Sequence, residues 1–212
     1  MPGLAVGTLV PLLARAITFF FAIGFHEAAH AWTAYRLGDD TAKRAGRLTL
    51  NPIAHLDPLG YILAVFAFIG WGKPTPVSPW RLRYGPRVGS ALVAVAGPLT
   101  NLLLAALAAI PWRLGYFNSA PGWTLQVLET FIFVNVALFV FNLIPLAPLD
   151  GASVLAGIVG ARGAQMLAPL QTYGPMILLG LILLSYIPGL NLNILGSVLY
   201  PAMNSVARLL LG

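Results

Sequence analysis

Five apolar stretches, near residues 12–36, 88–112, 123–145, 170–187 and 194–211, each approach the roughly 20 residues a helix needs to cross hydrocarbon. The last contains Pro201 and Asn204, so it is either a kinked span or an interfacial helix. Such a chain has few folds open to it. In lipid every backbone N–H and C=O needs an internal partner, and a helix supplies them within one segment. Only 8% of the 212 residues are charged, against about a quarter in soluble domains. The expected architecture is therefore an all-α polytopic membrane protein of about five transmembrane helices, forming a single domain over residues 1–212 in the lipid bilayer. No basic stretch precedes the first apolar run, where the first charge is Arg15, so that run is not expected to be a cleavable signal peptide.

Residues 37–87 break this pattern. Gly38, Asp39, Asp40, Pro52, Pro58, Pro74, Pro76 and Pro79 interrupt helix at short intervals. Arg47-Leu48-Thr49-Leu50 reads as a short strand, and the apolar piece 59–71 is too short to span, so the segment is expected to be re-entrant or interfacial.

The first apolar helix carries His26-Glu27-Ala28-Ala29-His30, an HExxH sequence. At 3.6 residues per turn the two imidazoles share one face about 6 Å apart along the axis, as two ligands of one zinc should. Glu27 is then beside the metal and able to take a proton from water there. A pair of packed histidines beside a buried acid, or a proton relay in a transporter, is the alternative; ionisable groups inside a membrane are costly and usually functional.

A catalytic zinc takes three protein ligands, and with no cysteine and only six carboxylates the third can be sought by elimination. Thr33 and Arg36 stand where an extended histidine motif would need Gly and His. His55 lies in a Pro-flanked loop and suits an anchoring role; Asp39 and Asp40 suit a solvated turn, Asp57 a turn start before Pro58, and Glu129 an outer polar contact. Asp150 remains, in Asn142-Leu-Ile-Pro-Leu-Ala-Pro-Leu-Asp150-Gly151. Backbone broken by two prolines at such depth is tolerated where it lines a protein cavity, so Asp150 is the expected third ligand, capping of the next helix being the alternative.

For Asp150 to meet His26 and His30, an even number of crossings must separate them. The helices at 88–112 and 123–145 supply two, so 37–87 must return to the side it left. Most Lys and Arg then share that side, joined by Arg162 and Arg208 if the last two stretches both cross, with Arg15 and Arg113 opposite. The net charge of +6 is thus an orientation signal that points the site to the cytoplasm, not a sign of nucleic-acid binding.

Taken in order, Phe25-His-Glu-Ala-Ala-His-Ala-Trp32, Gly46-Arg-Leu-Thr-Leu-Asn-Pro52, His55-Leu-Asp-Pro-Leu-Gly60, Gly72-Lys-Pro-Thr-Pro-Val77, Ala96-Gly-Pro-Leu-Thr-Asn101 and Asn142–Gly151 resemble the site-2 protease family of intramembrane metalloproteases. The resemblance is to the small subgroup without PDZ or CBS domains. It implies one catalytic Zn2+ held by His26, His30 and Asp150, Glu27 as general base, and hydrolysis of peptide bonds in transmembrane segments near the cytoplasmic side of the cell membrane. A helical substrate must first be unwound, and the 47–50 strand could pair with it. Asn142 and Asn101 are amides in apolar segments: either they hydrogen-bond between helices, or they donate to the oxyanion or the substrate backbone. Gly97 and Pro98 suit close helix packing or a kink. A metal or proton transporter using the same His/Asp site is the competing reading, against which no inverted repeat is visible; an inactive relative acting as a membrane chaperone is a third.

Overall fold

The first apolar run makes a helix longer than hydrocarbon is thick: α1 (Pro2–Arg36) has 35 residues, about 52 Å at 1.5 Å per residue. The computed structural model describes residues 2–117, 119–185, 187 and 193–212, the side chains of 2–8 excepted. Along α1 the large residues Leu9, Leu13, Ile17 and Phe21 recur every four positions on an exposed face, while Ala14, Ala22, Ala31 and Ala34 are buried. Small residues at many of the buried positions, with Phe19 and Ile23 as large exceptions, suit helices packed in lipid, where close backbone approach drives association.

Between residues 37 and 87 the chain runs down α1 and comes back. It contains α2 (Thr41–Arg44), a 3-10 turn at Pro52–His55, α3 (Pro58–Ala67) and a second 3-10 turn at Pro79–Arg81. Asp57 caps α3 by accepting from the Gly60 N–H at 2.8 Å. The Tyr61 hydroxyl donates to the Ala16 carbonyl at 2.8 Å, which fixes α3 beside the first half of α1. The return ends where it began, with Arg83 N–H donating to Leu37 O at 2.7 Å.

The strand expected at 47–50, and with it a β-containing re-entrant segment, is not what forms: residues 48–50 are a bend, and no strand occurs among the described residues. The backbone groups there are taken elsewhere. Arg47 N–H donates back to Ala42 O, and the Thr49 carbonyl faces His55 Nε2 at 2.9 Å, so no ladder can build. A single antiparallel bridge, Leu56 with Gly72, is the nearest approach to a sheet.

α4 (Gly85–Arg113) and α5 (Gly122–Asn142) pack on α1. Val134 of α5 joins Phe19 and Ile23 of α1 and Ala64 and Val65 of α3 in one cluster. Ile132 and Val136 turn to Ala105 and Ala109 of α4. After a broken turn come α6 (Asp150–Ile158), α7 (Gly160–Met166), α8 (Ala168–Ser185) and α9 (Ile194–Leu211). Among the described residues five helices, with α1 counted from Leu9, are long and apolar enough to cross a membrane: α1, α4, α5, α8 and α9. These match the five expected stretches to within a few residues apart from the earlier start of α1, although residue 186 of the fourth stretch lies outside the described residues.

One placement differs. Leu195 at the start of α9 clusters with Leu146, Leu149 and Leu178, Met203 packs with Ile132 and Val136, and Arg113 Nη2 donates to Leu209 O at 2.9 Å near its end. α9 therefore runs antiparallel to α5 and brings Arg208 to the Arg113 end of the bundle, not to the side expected. The expectation counted α8 as a full crossing, but α8 packs its middle against the 144–149 turn, so α9 starts from that level.

Candidate metal centre

Helical spacing does what the motif implies. His26 and His30 lie on the buried face of α1 with their Nε2 atoms 3.0 Å apart. The chain folds back after α5 so that Gly151 passes the Leu143 carbonyl, where an added Cβ would sit 2.3 Å from that oxygen. Leu149, not Asp150, occupies the N-cap of α6, with no side-chain capping bond. Asp150 is thus free to turn inward, and its Oδ2 lies 3.1 Å from His26 Nε2 and 3.3 Å from His30 Nε2.

The protons on this triangle follow from what stands behind it. Asn101 donates its amide to Ala22 O at 3.2 Å and to Asn135 Oδ1 at 3.0 Å, which turns its own Oδ1 toward His26 Nδ1 at 2.7 Å. His30 Nδ1 faces the Val93 carbonyl at 2.8 Å. Both Nδ1 atoms meet oxygens that can only accept, so both carry the proton and each neutral ring presents a lone pair at Nε2. Asp150 turns its carboxylate toward both of these Nε2 atoms. Its Oδ2 is buried with no hydrogen-bond partner.

Three lone pairs with no proton among them face one point, an arrangement that fits a cation. The 3.0–3.3 Å edges match the roughly 3.3 Å separating donors that share a tetrahedral zinc at about 2.0–2.1 Å. Gly97 of α4 leaves the space: a Cβ there would lie 2.5 Å from His30 Nε2 and 2.6 Å from His26 Cε1.

Glu27 is bound from the irregular segment between α3 and α4. The ligand atoms of His26, Glu27 and His30 lie within 4.8 Å of one another, and Glu27 Oε2 accepts from Thr75 N–H at 2.9 Å and from Thr75 Oγ1 at 2.8 Å.

Comparison with known proteins gives this geometry a family. The family model described as peptidase family M50 matches residues 115–185. A Bacillus subtilis (strain 168) protein named "Putative zinc metalloprotease YwhC" is 38% identical over 211 residues, covering 95% of this chain and 92% of its own. The chain belongs to peptidase family M50, the site-2 protease family. Proteins named "Putative zinc metalloprotease Rip2" from Mycolicibacterium smegmatis and Mycobacterium tuberculosis H37Rv are 29% and 32% identical, covering 88% and 84% of this chain and 70% and 72% of theirs. No solved structure matches. The M50 chain is a multi-pass membrane metalloprotease with a catalytic zinc, and the transporter reading finds no support.

Other expected residues lie elsewhere. Asn101 is fully buried and stands behind His26, on its Nδ1 edge. The Asn142 amide donates to Leu138 O of its own helix at 2.9 Å. Asp39, expected to be solvated, is fully buried and accepts from Thr41 N–H at 3.0 Å and Ser78 N–H at 2.6 Å. His55 is fully buried too. Asn135, Thr75 and Arg47 were not singled out by sequence; Asn135, an amide inside an apolar span, carries the same signal that marked Asn101.

Proposed function

We propose that His26, His30 and Asp150 hold the catalytic zinc of this M50 protease, that Glu27 is its general base, and that its substrates are transmembrane segments of membrane proteins. The observation that carries the reading is the triangle of two Nε2 atoms and Asp150 Oδ2, three converging lone pairs without a proton. Held by these three residues, a zinc ion would supply the Lewis acidity that makes water nucleophilic near neutral pH and polarises a carbonyl. Glu27 accepts the proton of the attacking water at the carboxylate oxygen that Thr75 leaves free, then returns it to the leaving amine. The imidazoles keep their Nδ1 protons throughout, because Asn101 and Val93 hold them there.

The reading takes residues 1–212 as one domain, with 37–87 as a membrane-associated flank of α1, and sets the site toward the cytoplasm. Most basic residues lie between Arg36 and Arg87, at the end where α1 stops, whereas Arg15, Arg113 and Arg208 lie opposite, so the positive-inside rule favours that orientation. Asn101 serves the metal ligand in this reading instead of the oxyanion, and Asn142 can still offer its amide to a substrate if the bond to Leu138 is exchanged.

Purified Glu27→Gln protein should retain one zinc per chain and fail to cleave a co-expressed membrane substrate, while Asp150→Ala should lose zinc. Turnover by Glu27→Gln removes Glu27 from the base role, and full zinc in Asp150→Ala places the third ligand elsewhere.

A further inference from the structure

The strip from Gly72 to Ser78 crosses α1 at the base, and its chemistry is unusual. Pro74 and Pro76 have no N–H, so Thr75 has the one amide proton of that tripeptide, and it goes to Glu27 Oε2. The Thr75 hydroxyl lies 2.8 Å from the same oxygen and 3.0 Å from the Glu27 carbonyl. A hydroxyl has a single proton, and the shorter, charge-assisted partner takes it. One carboxylate oxygen is therefore bound twice by one residue.

The strip is itself fastened. Arg47 is buried, and its Nη2 donates to the carbonyls of Lys73 and Pro74. Lys73 N–H donates to His55 O at 2.8 Å, and Ser78 N–H donates to Asp39. At Gly72 the strip lies so close that an added Cβ would be 2.7 Å from Ile23 Cγ2 and 3.4 Å from Glu27 Cγ. The residue that grips Glu27 is thus held on both sides by partners that do not touch the metal triangle.

We infer that Thr75 is a positioning residue for the base: it ties Oε2 and so aims the other carboxylate oxygen at the attacking water. This rests on Glu27 being the base. Thr75→Val keeps the shape and the amide but removes the hydroxyl; Thr75→Ser restores it. The chain has two glutamates, Glu27 and Glu129, so 13C-carboxylate labelling with Glu129→Gln in the background leaves one glutamate band in the infrared. That band should shift in Thr75→Val and return in Thr75→Ser, in metal-free and zinc-loaded protein alike. With a reporter peptide bearing one helix-broken apolar segment and a fluorophore–quencher pair, kcat should fall about ten- to a hundredfold in Thr75→Val. KM, zinc content and thermal midpoint should stay unchanged, and Thr75→Ser should recover most of the rate. An unmoved band, wild-type kcat, loss of zinc along with rate, or failure of serine to rescue overturns the inference. Glu27→Gln run beside it separates the two readings: if Glu27→Gln is inactive while Thr75→Val is unimpaired, the positioning role alone fails, and if Glu27→Gln turns over, the base assignment fails.

Discussion

His26 and Glu27 are neighbours in sequence, yet opposite kinds of structure support them. The histidine side of α1 meets α4 and Asp150, and Asn101 of α4 is fully buried with both amide hydrogens used. The glutamate side meets an irregular strip with proline on either side of its one grip, Thr75. On the proposed reading, the ligands are set by the distance between helices and the base by the path of a loop. Damage to the helix side should therefore appear in zinc content, and damage to the strip in turnover at constant zinc.

Gly97→Ala is the strongest way to break this division. The new Cβ would lie 2.5 Å from His30 Nε2 and 2.6 Å from His26 Cε1, far inside van der Waals contact. An imidazole end can move aside, but these two cannot move without leaving the triangle. Purified Gly97→Ala should contain essentially no zinc by elemental analysis while still inserting and folding. Full zinc with normal turnover would mean that the helices separate freely, and the contrast would fail.

How much of this was legible before the structure follows the same line. The HExxH pair and its shared face are consequences of helical period, which sequence displays directly. Asp150 was reached because six carboxylates leave few candidates. What could not be read were the contacts across elements: Asn101 with His26 is 75 residues apart, and Thr75 with Glu27 is 48 apart. The failed strand at 47–50 has the same origin. Alternating residue types suggested a ladder, but the His55 ring and the Ala42 carbonyl of α2 claimed the backbone groups. Arg208 was misplaced because hydrophobic length cannot tell a helix that crosses from one whose middle rests on a turn.

Asn101→Ala tests the helix side more gently. It removes the oxygen that holds the His26 Nδ1 proton and frees that ring to rotate. Loss of such an orienting partner costs about 10–100-fold in metal affinity, so competition with a zinc chelator should show that weakening, with turnover restored at saturating zinc. Asn135→Ala acts one bond further out and should weaken zinc less. A fall in kcat at saturating zinc would instead give Asn101 a direct role in the reaction.

The smallest expected effect lies at the far end of the strip. Asp39 is buried, which pushes its carboxyl up, but the Thr41 hydroxyl, the Ser78 and Thr41 amides and the Arg81 charge more than offset this and hold it below the usual carboxylate range. A group whose pKa is lowered on folding binds fewer protons in the native state, so its stabilisation is complete above the unfolded value of about 3.9 and is lost as pH falls through the folded one. Asp39→Asn keeps the size but turns an amide donor toward donors, at a cost of about 1–3 kcal/mol. Thermal midpoints of detergent-purified protein should therefore differ at neutral pH and begin to converge only as pH falls below about 4, with the two proteins matching in zinc content throughout. Because Asp39 secures only one end of the strip while Arg47 and His55 still hold the other, turnover should fall by less than it does in Thr75→Val. A Tm difference that persists unchanged into acid would show that the carboxylate charge is not what latches the strip, and loss of zinc in Asp39→Asn would show that the two sides of α1 are not independent.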